Sequence, residues 1–153
     1  MLTRRSFLWT ATAAAFMPAL AHANPAKISA ADALEQVRAG KLILIDVRTP
    51  GEWEQTGVAK GAWPLDMTQR DFGPKFLAVL ERNPDHEVAI ICRTGNRTGY
   101  LMEVLEKNDI KGVLDVSEGM AGGPNGKGWI PSGLPVVPGR EAVDNLPADL
   151  KAL

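Results

Sequence analysis

The sequence predicts an α/β domain with a mainly parallel central sheet flanked by helices. Three observations predict it. Continuous apolar runs of four residues recur, at 42–45, 88–91 and, less purely, 113–116. Such runs are the mark of strands buried on both faces. Segments of helical period lie between them. The chain has 153 residues, 45% of them apolar, which suits one domain with one core and is too short for two ordinary domains.

The elements follow in order. Ser29 is a good N-cap, and Ala30, Ala33, Leu34 and Val37 fall at helical spacing up to Gly40. Leu42 to Ile45 reads as a strand ending at Asp46. Thr49-Pro50 starts a short helix through Glu54. Ala62 to Leu65 reads as another short strand, with Pro64 marking an irregular end. Phe72, Phe76, Val79 and Leu80 form one helical face, stopped by Asn83-Pro84. Val88 to Ile91 is the second buried strand. Asn96 to Asn108 reads as a helix with Tyr100, Leu101, Val104 and Leu105 on one side. Val113 to Val116 is a third strand. From Gly119 to Gly139 seven glycines and four prolines argue against regular structure. That stretch reads as a surface loop and an extended return, and Gly119 to Trp129 is either a rim of the site or a plain connector. The tail from Arg140 is polar, with a short helix allowed after Pro147.

Residues 1–23 read as an export signal ahead of a domain over 24–153. Arg4-Arg5 is followed by the apolar run Phe7 to Leu20 and the small-residue pattern Ala21-His22-Ala23. The run is shorter than the ~20 residues that span a bilayer. The paired arginines are similar to a bacterial twin-arginine signal, a receptor-read address and no stable membrane anchor. A periplasmic location is expected. Cleavage removes two arginines and no acidic residue, so the net charge moves from −1 to −3.

Composition excludes several classes. No Lys/Arg run exists, so nothing calls for nucleic acid. Cys92 is the one cysteine, so no internal disulfide, dithiol redox pair or cysteine zinc cage is possible. Two histidines, His22 and His86, cannot build a His-rich metal site. His86 stands at the start of the strand that Cys92 ends, so a Cys–His protease pair is discounted too. No metal site is expected.

The chemistry concentrates in Cys92-Arg93-Thr94-Gly95-Asn96-Arg97-Thr98. This segment follows a buried strand and opens a helix, where ligands bind in open α/β sheets. Gly95 permits a positive φ, which lets successive N–H groups turn inward. The helix N-terminus, Arg93 and Arg97 add positive charge. Such a setting favours the Cys92 thiolate. A thiolate in an anion-binding loop with no internal base either attacks phosphorus or takes up a sulfur atom.

The loop resembles the active-site loop of rhodanese-type sulfurtransferases, a cysteine and five further residues before the helix. Cysteine-dependent phosphatases have a histidine before the cysteine and an arginine six residues after it. Here Ile91 precedes Cys92, and position six is Thr98. Leu42 through Trp53, with its Asp46-Val47-Arg48, looks like the family's first signature. Gly57 to Ala62 resembles the segment after it, with Val58 where many members carry a histidine. Trp129 and Gly133-Leu134-Pro135-Val136 look like the C-terminal signature, after a stretch from Gly119 to Gly128 that is longer than usual.

The resemblance implies a rhodanese-like fold and a two-step thiosulfate sulfurtransferase reaction through a persulfide on Cys92. It implies that amides from Arg93 to Thr98, including those of Thr94, Gly95 and Asn96, hold the thiolate and persulfide. Arg93 and Arg97 would hold a small anionic donor. Asp46 and Arg48 would pair to support the neighbouring loop, with donor binding by Arg48 as the alternative. Trp53, Trp63 and Trp129 are expected to pack. The acceptor would be a thiol, cyanide or a protein, for an exported chain a periplasmic sulfur-accepting one, and no cofactor is needed. The competing class is a non-enzymatic sulfur carrier or protein-interaction module of the same fold.

Overall fold

The computed structural model describes residues 26–153, so the expected export signal lies outside the described residues. Four strands form the main sheet: β1 (Leu42–Asp46), β3 (Trp63–Pro64), β4 (Glu87–Ile91) and β5 (Val113–Asp115). Their order is β3-β1-β4-β5, and every neighbouring pair is parallel. A second, antiparallel pair joins β2 (Val58–Ala59) to β6 (Val136–Val137). The helices are α1 (Ala30–Arg38), α2 (Pro50–Thr56), α3 (Phe72–Arg82), α4 (Asn96–Lys107), α5 (Gly139–Asp144) and α6 (Ala148–Lys151).

Residue alternation explains the layers. Leu42 and Leu44 of β1, with Ala89 and Ile91 of β4, face one way. Ala30, Ala33 and Leu34 of α1, Trp53 of α2 and Ala142 of α5 cover them. Ile43, Ile45, Val88 and Ile90 face the other way, under Phe76 and Val79 of α3, Leu101 and Leu105 of α4 and Leu150 of α6. All five residues of β1 are therefore buried, as a parallel strand covered on both faces requires. Ser29 caps α1 as expected, its hydroxyl accepting from the Asp32 N–H at 3.1 Å.

Three expectations are corrected. Tyr100 points to solvent, 63% exposed, while Thr98, Leu101 and Leu105 form the buried stripe of α4. The strand expected over Ala62–Leu65 is only two residues long, because Pro64 has no N–H to give at a sheet edge. The Gly/Pro-rich stretch from Gly119 to Gly139 is no simple surface loop. It contains β6 and buries Met120 and Trp129 completely in the core around α1. Trp129 also donates its indole N–H to Pro135 O at 2.9 Å. Glycine and proline exclude long regular elements, but they do not exclude burial of the large residues between them. The short helix after Pro147 forms as α6.

Candidate active site

β4 delivers Cys92 to the carboxyl edge of the sheet, and α4 begins four residues later. His86 lies at the other end of the same strand. Cys92 is a free thiol, 1% exposed. Its sulfur accepts a hydrogen bond from the Gly95 N–H at 3.2 Å. Thr98 Oγ1 lies 3.7 Å from the sulfur and donates to Gly95 O at 3.1 Å. The first helical hydrogen bond is Gly99 N to Gly95 O, so the amides of Asn96, Arg97 and Thr98 have no acceptor within α4. Their dipoles add positive potential at the helix start beside the sulfur.

Gly95 adopts φ +90°, and a Cβ there would sit 2.2 Å from Ser117 O. Gly119 adopts φ +70°, and its Cβ would sit 2.4 Å from Arg93 O. The segment after β5 therefore packs backbone to backbone against the cysteine loop. Met120 N donates to Cys92 O and Ala121 N to Arg93 O, both at 2.8 Å. The stretch from Gly119 forms a wall beside the cysteine loop.

Two ion pairs hold the other side. Arg48, 2% exposed, places Nε and Nη2 on the Asp46 carboxylate at 2.7–3.1 Å. Arg48 also donates to Thr56 Oγ1 at 2.8 Å and Gly57 O at 2.7 Å. With its guanidinium so engaged, Arg48 braces the β1–α2 connection. Burial pushes the Asp46 carboxyl above its ordinary range, and the Arg48 guanidinium pulls against that shift.

Arg97 was expected at the donor. Its guanidinium clasps Glu52, with Nη1 to Oε2 at 2.8 Å and Nη2 to Oε1 at 2.5 Å. Glu52 also accepts from the Thr49 N–H and hydroxyl, closing the cap of α2. The Arg97 hydrogen bond, foremost, holds the Glu52 carboxyl down at about 2. Glu52 raises Arg97 in turn. Arg93 is exposed and, among the described residues, forms no ion pair. Thr94 is half-buried and Asn96 exposed.

Sequence reasoning did not single out Glu52, Glu118 or Asp115. Glu118 accepts from the Ala30 N–H and the Gly128 N–H, tying α1 to the wall of the site. Asp115 lies buried at the end of β5. Only Glu52 carried a signal, the N3 position after the Thr49 cap.

Comparison with known proteins agrees with this architecture. A rhodanese-related protein of Thermoplasma volcanium has a TM-score of 0.54 and 30% identity, covering 73% of this chain and 97% of that one. A polysulfide-sulfur transferase homodimer of Wolinella succinogenes has a TM-score of 0.55 and 25% identity, covering 74% and 78%. The uncharacterized protein RP600 of Rickettsia prowazekii is 28% identical over 98 residues, 60% of this chain and 80% of the relative. The model of the rhodanese-like domain matches residues 29–123. That match spans more than half of the sequence and contains the Cys92 loop together with both ion pairs, and on it the chain belongs to the rhodanese-like domain family.

Proposed function

We propose that the protein is an exported sulfurtransferase in which Cys92 carries the transferred sulfur as a persulfide. The observation that carries the reading is the Gly95 N–H, 3.2 Å from the one thiol of the chain, at the amino end of α4. The hydrogen bond and the amino end of α4 both direct positive potential at that sulfur. The family membership and the polysulfide-sulfur transferase among the similar structures support sulfur chemistry over phosphorus chemistry.

In the proposed first step the Cys92 thiolate attacks the outer sulfur of a donor such as thiosulfate. A new sulfur–sulfur bond forms on Cys92. The old one breaks, and its electron pair leaves on sulfite. In the second step an acceptor (cyanide in an assay, a thiol or a protein in the cell) attacks the outer sulfur of the persulfide. The pair of that bond returns to Cys92 as thiolate. The Gly95 N–H and the amides at the start of α4 stabilise the negative sulfur in both steps. Thr98 Oγ1 can accept from the thiol or turn its proton toward the thiolate. Arg93 supplies the unpaired positive charge for the anionic donor. The twin-arginine-like start of the chain supports delivery to the periplasm.

Intact mass spectrometry tests the reading. Thiosulfate should add the mass of one sulfur atom, and a reductant should remove it. Turnover of thiosulfate by Cys92→Ser would overturn the mechanism. A persulfide that forms only with a partner protein present would replace the enzyme by a carrier.

A further inference from the structure

Behind the cysteine loop, between α4 and β5, lies an open cleft of about 610 Å³. Gly95 and Gly99 shape its upper wall, and Cys92 does not line it. Its apolar surface comes from Met102, Ile110 and Val113. Asp115 also lines it. That residue is 3% exposed, and among the described residues nothing hydrogen-bonds its Oδ1. A buried carboxyl oxygen without a donor is costly, and natural proteins rarely leave one so. Burial raises the Asp115 carboxyl above its ordinary value, and the Thr98 hydroxyl and Lys27 ammonium only partly oppose that. Glu103 and Glu106 of α4 line the same cleft. Three carboxyl groups there face two ammonium groups, Lys27 and Lys111, so the balance favours a positive guest. The volume falls in the range of small-molecule sites.

We propose that this cleft is a second binding site, separate from the Cys92 cradle, for a small ligand with an apolar body and a protonated amine head. The amine pairs with the Asp115 carboxylate, which its burial leaves short of donors. The apolar body lies along Met102, Ile110 and Val113. The absence of a side chain at Gly99 leaves room for it. At Gly99 the backbone is helical, and nothing stands within 4 Å of where a Cβ would be. A larger residue there fills the cleft without moving the backbone. The proposal does not depend on sulfur transfer.

The test is a titration of the full chain with benzylamine, followed by amide NMR, with benzyl alcohol as the neutral probe of the same shape. Benzylamine at millimolar concentration should shift the amides of Gly95, Gly99 and Ser117. Benzyl alcohol and the Asp115→Asn variant should each bind at least about tenfold more weakly, the effect of losing a charge-assisted hydrogen bond. Gly99→Leu should abolish the shifts while keeping a cooperative melting curve, and it decides the matter if Asp115→Asn does not fold. No shift with benzylamine, equal binding of the two probes, or unchanged binding to Gly99→Leu would overturn the proposal.

Discussion

Both oxygens of Glu52 accept hydrogen bonds from the Arg97 guanidinium, across 45 positions of sequence. The pair joins the cap of α2 to the first turn of α4. It cancels one of the two positive charges of the cysteine loop. Asp46 and Arg48 cancel each other in the same way. The rim is therefore less positive than the sequence of the loop alone implies.

Removing the Glu52 charge should unmask Arg97. Glu52→Gln keeps the size and part of the hydrogen bonding, so the loop should stay close to its place. Thiosulfate is a dianion, and on the proposed reading local positive charge draws it in. Persulfide formation by Glu52→Gln should be several-fold faster than wild type at low salt, with a steeper fall as salt rises. Arg93→Ala should be roughly tenfold slower and flatter in salt, because it removes the unpaired charge. Single-turnover rates at two ionic strengths check both. Equal rates and salt slopes in all three proteins would mean that backbone amides alone hold the donor.

The same pair sets an acid limb of stability. The Glu52 carboxyl ordinarily titrates at 4.5 and is held at about 2 in the fold. Its ionised form is thus favoured by folding. The stability it adds is complete above pH 4.5 and is lost as pH falls from there toward 2. With solvent screening the amount is roughly 1–2 kcal/mol. Glu52→Gln should therefore be less stable than wild type at neutral pH, with the gap closing toward pH 2. Urea midpoints at a series of pH values measure this. A gap that stays constant with pH would contradict the assignment.

Arg48 should matter more to folding than to chemistry. Arg48→Met leaves the Asp46 carboxylate buried without its partner, at 0% exposure. Breaking a buried pair on one side costs about 3–5 kcal/mol. Replacing both members, Asp46→Leu with Arg48→Met, should cost clearly less, since no lone charge stays behind. Denaturant unfolding of the two variants separates the cases. Equal losses would show that the bonds from Arg48 to Thr56 and Gly57 carry the effect instead.

Local signals made the sheet and the cysteine loop legible. Leu42 to Ile45 and Val88 to Ile91 could only be strands covered on both sides, and they pair residue for residue. The loop from Cys92 to Thr98 announces itself by its own glycine and the helix that follows. Glu52 and Arg97 were both visible, but their pairing depends on how two helix ends meet, which no local pattern encodes. Trp129 was expected to pack and is fully buried, while the glycines around it describe backbone shape and say nothing of the depth of the whole stretch. Asp115 fell inside the third strand run and drew no reading of its own. Its burial comes from residues brought by α4 and by the segment around Lys27, whose backbone bridges to it.

Export has its own test. Arg4→Lys with Arg5→Lys should leave precursor inside the cell if the pair is read as a twin-arginine address. Fractionation and immunoblotting distinguish trapped precursor from processed protein. Normal delivery of the double variant would point to the general secretory route.

Three glycines near the site should respond to alanine in opposite directions. At Gly119 the backbone has φ +70°, and a Cβ would lie 2.4 Å from Arg93 O and 2.7 Å from Thr94 N. Those atoms are backbone of the cysteine loop and cannot yield without moving it. Gly119→Ala should therefore cost stability and slow persulfide formation together. Gly95→Ala should behave alike, since its Cβ would meet Ser117 O at 2.2 Å at φ +90°. The strain of a positive φ alone is of order 1 kcal/mol, and the clashes add to it. Gly99 lies only four residues beyond Gly95, yet it has ordinary helical backbone and open space around its missing side chain. Gly99→Ala should stabilise the protein by about 0.5–1 kcal/mol, because alanine restricts the unfolded chain and favours the helix. Melting temperatures and persulfide rates of the three variants read out both effects. No loss of stability in Gly119→Ala would mean that the wall after β5 does not meet the cysteine loop as closely as described, and a loss in Gly99→Ala would mean that the space beside Gly99 is not open.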